Sequence, residues 1–164
     1  MPLSSLNDDI MALILDMAGP QSAVAMATTS SHFNHVCNIV MYSKVGIFEV
    51  YSIYLRFERT YRFFKTVRES NRVCHYIRSI TIFWDYPPKV LIGFESLAEP
   101  MRLALMKTYR LTRLKLEIRL KDKTFEKCFG TSFRFRLSEF ECNFGTEEAK
   151  RKFMEKHSDK GQMF

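Results

Sequence analysis

The sequence predicts a mixed α/β protein, with three short helices at the N-terminus followed by strands that alternate with helices. Three observations predict it. In the first 47 residues apolar side chains recur at the helical period, between capping and breaking residues. A six-residue strand template then returns three times. Helical patterns lie between the first two templates and after the third.

The first helix is expected to start after Asn7, a good N-cap, with Asp8 and Asp9 placing negative charge in its first turn. Ile10, Leu13, Ile14 and Met17 have i, i+3, i+4, i+7 spacing and form one stripe. Gly19-Pro20 ends this helix, and Pro20 can open the next, over Gln21 to about Thr28. Ser30 or Ser31 can cap a third helix, on which Phe33, Val36, Cys37, Val40 and Met41 repeat the stripe. Lys44 to Val50 alternates and reads as a short strand. From about Tyr54 to Glu69 the pattern is helical, with Phe57, Tyr61 and Phe64 on one side.

The strand template is L-x-x-L-x-L. It occurs as Ile77-Arg78-Ser79-Ile80-Thr81-Ile82, as Leu111-Thr112-Arg113-Leu114-Lys115-Leu116, and as Leu137-Ser138-Glu139-Phe140-Glu141-Cys142. The starts are 34 and 26 residues apart, near the leucine-rich-repeat range. Phe94 to Met106 is a helix candidate with Phe94, Leu97, Met101 and Leu105 on one face, and Thr146 to His157 is another. Stacked strand–helix units would set their strands in a parallel sheet with helices behind. The alternative is an unrelated α/β or α+β domain. The Asn or Cys that usually follows the template is replaced by Asp85, Arg119 and Gly145.

Composition bounds the function. The chain has 164 residues, enough for a small module plus a compact domain, divided here as 1–47 and 48–164. Fifteen Phe and seven Tyr suggest an aromatic core or an exposed partner surface. Net charge is +7 but uneven: residues 1–47 set three Asp against Lys44, a net of −2, so the remainder carries +9. No apolar run approaches a membrane span, and the start lacks the features of a signal peptide. Cys37, Cys74, Cys128 and Cys142 are scattered, which fits reduced thiols in the cytosol or nucleus.

The run Leu6-Asn7-Asp8-Asp9-Ile10, then Leu13-Ile14, then Ser22 through Phe33, then Met41-Tyr42 resembles an F-box in order and spacing. Asn7 stands where Pro is usual and Ser30 where Cys is usual. With the strand and helix patterns that follow, the chain is similar to the F-box/leucine-rich-repeat proteins abundant in mushroom-forming fungi. The resemblance implies an F-box joined to a short, irregular leucine-rich-repeat-like strand/helix solenoid. With no obvious terminal capping unit, it implies a short paralogue, a fragment, or a chain whose end a partner covers. It further implies the substrate-recognition subunit of a cullin-based ubiquitin ligase, bound to a Skp-type adaptor and, through it, a cullin. Leu6, Ile10, Ile14, Val24, Ala27 and Phe33 match positions that face or support the adaptor.

A target protein would be held by the repeat region. With the template residues pointing inward, Ser79, Thr81, Phe83, Arg113, Lys115, Glu117, Glu139, Glu141 and Asn143 face outward. In register, Arg113 lies beside Glu139 and Lys115 beside Glu141, giving either a target-reading face or a ladder of surface ion pairs, the ladder being favoured. Phe83, Trp84 and Tyr86, halted by Pro87-Pro88, form either a partner surface or a strand end tucked into the core. Arg56, Arg59, Arg62, Lys65 and Arg68 recur every three residues, and a solvated helix face is the commoner outcome than nucleic-acid binding. His32, His35 and Cys37 cannot all share a face as metal ligands, and His75 beside Cys74 has no visible carboxylate to orient it. No glycine-rich phosphate loop, G-x-S-x-G or H-E-x-x-H occurs. The reading is a non-catalytic protein without metal or cofactor, whose alternatives are a basic nucleic-acid-binding module or a ligase-independent interaction scaffold.

Overall fold

A computed structural model describes residues 6–50, 58–85, 95–118 and 121–158. Among these are seven helices and one four-stranded parallel sheet. Phe57, Tyr86, Pro87, Pro88, Phe94 and Arg119 lie outside the described residues.

The N-terminal helices start and stop where local chemistry directs. Helix α1 (Asp8–Ala18) is capped by Asn7, whose side chain accepts from the Asp9 backbone N–H at 2.9 Å. Gly19, at φ 86°, closes it and passes the chain to α2 (Pro20–Ala27), with Pro20 in the first helical turn. Helix α3 (Ser31–Ser43) is capped by Ser30, which accepts from Phe33 N–H at 3.2 Å. Met11, Leu15, Ala23, Val36 and Cys37 form the core of these helices. Helix α1 is apolar on more than one side, and its buried face is Met11 and Leu15 rather than the stripe of Ile10, Leu13, Ile14 and Met17.

Helix α3 passes directly into β1 (Lys44–Val50), so a boundary drawn at residue 47 falls within that strand. There follow α4 (Glu58–Glu69), a 3-10 turn over Val73–His75, β2 (Ser79–Asp85), α5 (Glu95–Lys107), β3 (Arg113–Glu117), α6 (Lys123–Phe129), β4 (Glu139–Cys142) and α7 (Glu147–His157). The strands pair in chain order and all in parallel, β1-β2-β3-β4. Ser79 is opposite Arg113 and Arg113 opposite Glu139, so the pairing register has the 34- and 26-residue spacing of the sequence template. The same register sets Lys44 against Ser79 and exposes a fourth copy, Tyr42-x-x-Val45-x-Ile47.

Inward template residues and helices share one core. Ile80, Ile82, Leu114 and Leu116 meet Phe64 and Val67 of α4, Leu97, Met101 and Leu105 of α5, Phe125 and Phe129 of α6, and Phe153 of α7. On α4 the buried side is Thr60, Phe64 and Val67, and Tyr61 is 42% exposed, contrary to the face expected for it. At the C-terminal end the core is almost wholly aromatic. Phe129 and Phe153 lie 4.9 Å apart, Phe140 and Phe153 4.8 Å, and Phe133 stacks on Phe135 at 5.0 Å. Gly145 (φ 87°) is required there, because a Cβ would stand 2.4 Å from the Phe125 ring. Its N–H donates to Asp122 Oδ1 at 2.7 Å.

The strand entrances are stitched together in sequence. Arg78 N–H donates to Ser43 O, Thr112 N–H to Arg78 O, and Ser138 N–H to Thr112 O. The Thr112 and Ser138 hydroxyls donate to the same carbonyls at 3.1 Å each. With every helix of this part packed on the inner side, no described element covers the other side of the sheet.

Candidate interaction surfaces

Two surfaces stand out. The first lies on α1 and α2. Ile10 is 50% exposed, Leu13 61%, Ile14 39%, Met17 83% and Val24 51%. Apolar residues scattered singly on a surface are ordinary, but a row along one helix face is not. Of the residues expected at an adaptor, Ile10 and Ile14 belong to this row and Val24 is exposed on α2, whereas Leu6, Ala27 and Phe33 are half-buried against the helical core and support it. Leu13 and Met17 complete the row. They belonged to the stripe read from the sequence but not to the expected contacts.

The second surface is the open face of the sheet. Arg113 pairs with Glu139 at 3.2 Å, and Lys115 with Glu141 at 2.7 Å and Glu117 at 3.0 Å. The bonds to Glu141 and Glu117 raise the Lys115 ammonium well above its ordinary pKa. The ladder expected from the register is therefore present, with both cations engaged by carboxylates. Phe83 is exposed and lies opposite Phe48 on β1, their rings 6.1 Å apart.

Trp84 corrects an expectation. It is 3% exposed, and its indole N–H donates to the Thr60 hydroxyl of α4 at 3.1 Å. Alternation explains this: Ile80 and Ile82 point inward, so residue 84 does too. Trp84 belongs to the core and cannot anchor a partner. Tyr86 lies outside the described residues.

The titratable groups are dispersed. His32 faces Asp8 at 3.4 Å, His35 bonds the Tyr76 hydroxyl at 3.0 Å, and Cys37 is buried. No group of three His, Cys, Asp or Glu among the described residues is placed to hold a metal ion. Burial raises the Cys74 thiol, which sits 3.5 Å from His75 Nδ1, and pushes Cys128 and Cys142 up to about 12. His157 is 1% exposed, lies 4.8 Å from the Phe153 ring, and has no hydrogen-bond partner on either ring nitrogen among the described residues. Burial first, then Lys156 and Arg136, lowers its pKa.

The exposed Arg59, Arg62 and Lys65 of α4 occupy the solvated face expected of them, with Arg62 paired to Glu58. Asn143 was expected merely to face outward, yet its side-chain oxygen accepts from Ile118 N–H at 2.9 Å and ties β4 to the end of β3. None of the described helices is long and apolar enough to cross a membrane. The chain matches no family model, no curated protein and no solved structure.

Proposed function

We propose that this chain is the substrate-recognition subunit of a cullin-based ubiquitin ligase. Its helices α1–α3 act as an F-box that docks on a Skp-type adaptor, and its strand–helix part acts as a short leucine-rich-repeat-like solenoid that holds a target protein. The chain supplies binding and geometry rather than chemistry, raising the effective concentration of the target at the ligase. The observation that carries this reading is the exposed row of Ile10, Leu13, Ile14 and Met17 on α1, with Val24 exposed on α2. Desolvating such a row against a second protein is favourable by roughly 25 cal/mol per Å². Of these residues the sequence resemblance assigns Ile10, Ile14 and Val24 to the adaptor. The reading places the protein in the cytosol or nucleus, where its four free thiols stay reduced.

The test is capture of purified chain by a purified Skp-type adaptor, with Ile10→Asp and Ile14→Asp as variants. Both side chains are exposed, so the variants should keep the parent unfolding midpoint and lose capture. Capture that survives both changes rejects this interface, and absence of capture by the folded parent chain favours a ligase-independent scaffold.

A further inference from the structure

The open sheet face has two unlike halves. Over β3 and β4 Arg113 and Lys115 are matched by Glu117, Glu139 and Glu141. Over β1 and β2 the outward positions are Lys44, Gly46 and Phe48, then Ser79, Thr81 and Phe83. No carboxylate is among the described side chains of that half. A shallow groove runs there, lined by Lys44, Arg78 and Arg113 together with Gly46, Ser79 and Thr81. Gly46 leaves its floor empty, since a Cβ at this position would have Phe48 Cε2 as its nearest neighbour at 3.6 Å.

The cations stand at the strand entrances, and the exposed Phe48–Phe83 pair stands four residues further along. At about 3.3 Å per residue that separation is about 13 Å. An extended peptide repeats its side chains on one face every second residue, so residues four apart bridge this distance. We propose that this groove binds an extended acidic peptide segment, whose carboxylates meet Lys44 and Arg78 and whose apolar side chain, about four residues away, packs on Phe48 and Phe83. Hydroxyls of Ser79 and Thr81 line the groove and can donate to the same carboxylates. A nucleic-acid strand suits the site less well, because a continuous polyanion reaching past Arg113 meets Glu117, Glu139 and Glu141. This inference deepens the target-holding half of the proposed function and rests on it only for the purpose of binding, not for the site itself.

The experiment uses the full chain and fluorescein-labelled probes: a random copolymer of Glu and Tyr, a copolymer of Lys and Tyr, and a single-stranded oligothymidylate of matched length. The Glu/Tyr copolymer should bind most tightly. Gly46→Val puts a side chain on the groove floor without changing charge, its Cβ in ordinary contact with Phe48, and should weaken that binding by about tenfold or more. Lys44→Glu with Arg78→Glu should abolish it. Arg59→Glu with Lys65→Glu, on the outer face of α4, makes the same change in net charge and should leave it within about twofold. Unchanged unfolding midpoints assign these losses to the groove. Binding indifferent to Gly46→Val and to the Lys44/Arg78 pair overturns the proposal, as does tighter binding of oligothymidylate through the same residues. Adaptor capture is measured in parallel. Peptide binding that fails while capture persists removes the groove alone; capture that fails while peptide binding persists removes the ligase reading alone.

Discussion

Helices α1–α3 fully bury Met11, Leu15, Ala23, Val36 and Cys37, whereas the strand–helix part closes a continuous core from Ile47 to Phe153. Yet the helical part is the more apolar per turn, and its surplus stands in solvent on α1 and α2. Three helices of 11, 8 and 13 residues enclose too little volume to hide every apolar side chain they carry. Four strands backed by four helices enclose enough. Apolar content therefore reports burial in one part and, in the other, an exposed surface on which the proposed docking rests.

Substitutions can break this comparison or sharpen it. The largest effect is expected at Phe153, which touches Phe125, Phe129, Phe133, Phe140 and His157. Phe153→Ala should cost about 3–5 kcal/mol in urea unfolding, and a loss under about 1 kcal/mol would mean that the aromatic end of the core is loosely packed. On α1, Leu15→Ala should cost about 2–5 kcal/mol. The adjacent Ile14→Ala should stay within about 0.5–1 kcal/mol; equal losses at the two positions would erase the distinction between buried and surplus faces.

The smallest effect concerns pH. His157 is held neutral in the fold, so its folded pKa lies below the ordinary value near 6.5 that it regains on unfolding. Well above that value it is neutral in both states and contributes no slope. As pH falls through and below that value the unfolded chain takes up the proton first, and stability declines until the folded pKa is reached. Unfolding of the parent chain compared with His157→Phe between about pH 5 and 7 should show this decline in the parent and its absence in the variant.

Much of the fold was legible because local signals and tertiary demands agree. Asn7, Ser30 and Thr146 cap the helices they precede, and template spacing equals strand register because each strand pairs with the next in sequence. The fourth template copy is not legible in the sequence because Tyr42 and Val45 replace the usual leucines and a glycine, Gly46, precedes its last position. Helix α6, seven residues long, is too short for periodicity to identify it. For Trp84 the bulk of the side chain suggests an anchor, whereas the parity of Ile80 and Ile82 favours the core, the second of its two readings and the one the structure has. Of the open face, the Arg113–Glu139 and Lys115–Glu141 pairs were readable. The groove was not, because it joins Lys44, Arg78 and Arg113 from three segments whose alignment depends on that unnoticed fourth copy.

The ordered pairing of strands also insulates the open face from change behind it. Successive units advance by 35, 34 and 26 residues, yet all reach the same alignment, so the register of the sheet does not depend on the length of the return between strands. Insertions or deletions in the returns from one strand to the next can accumulate without shifting a single outward side chain. Such an architecture lets the length of a return change while the front keeps its spacing, and lets the front change one residue at a time without disturbing the scaffold.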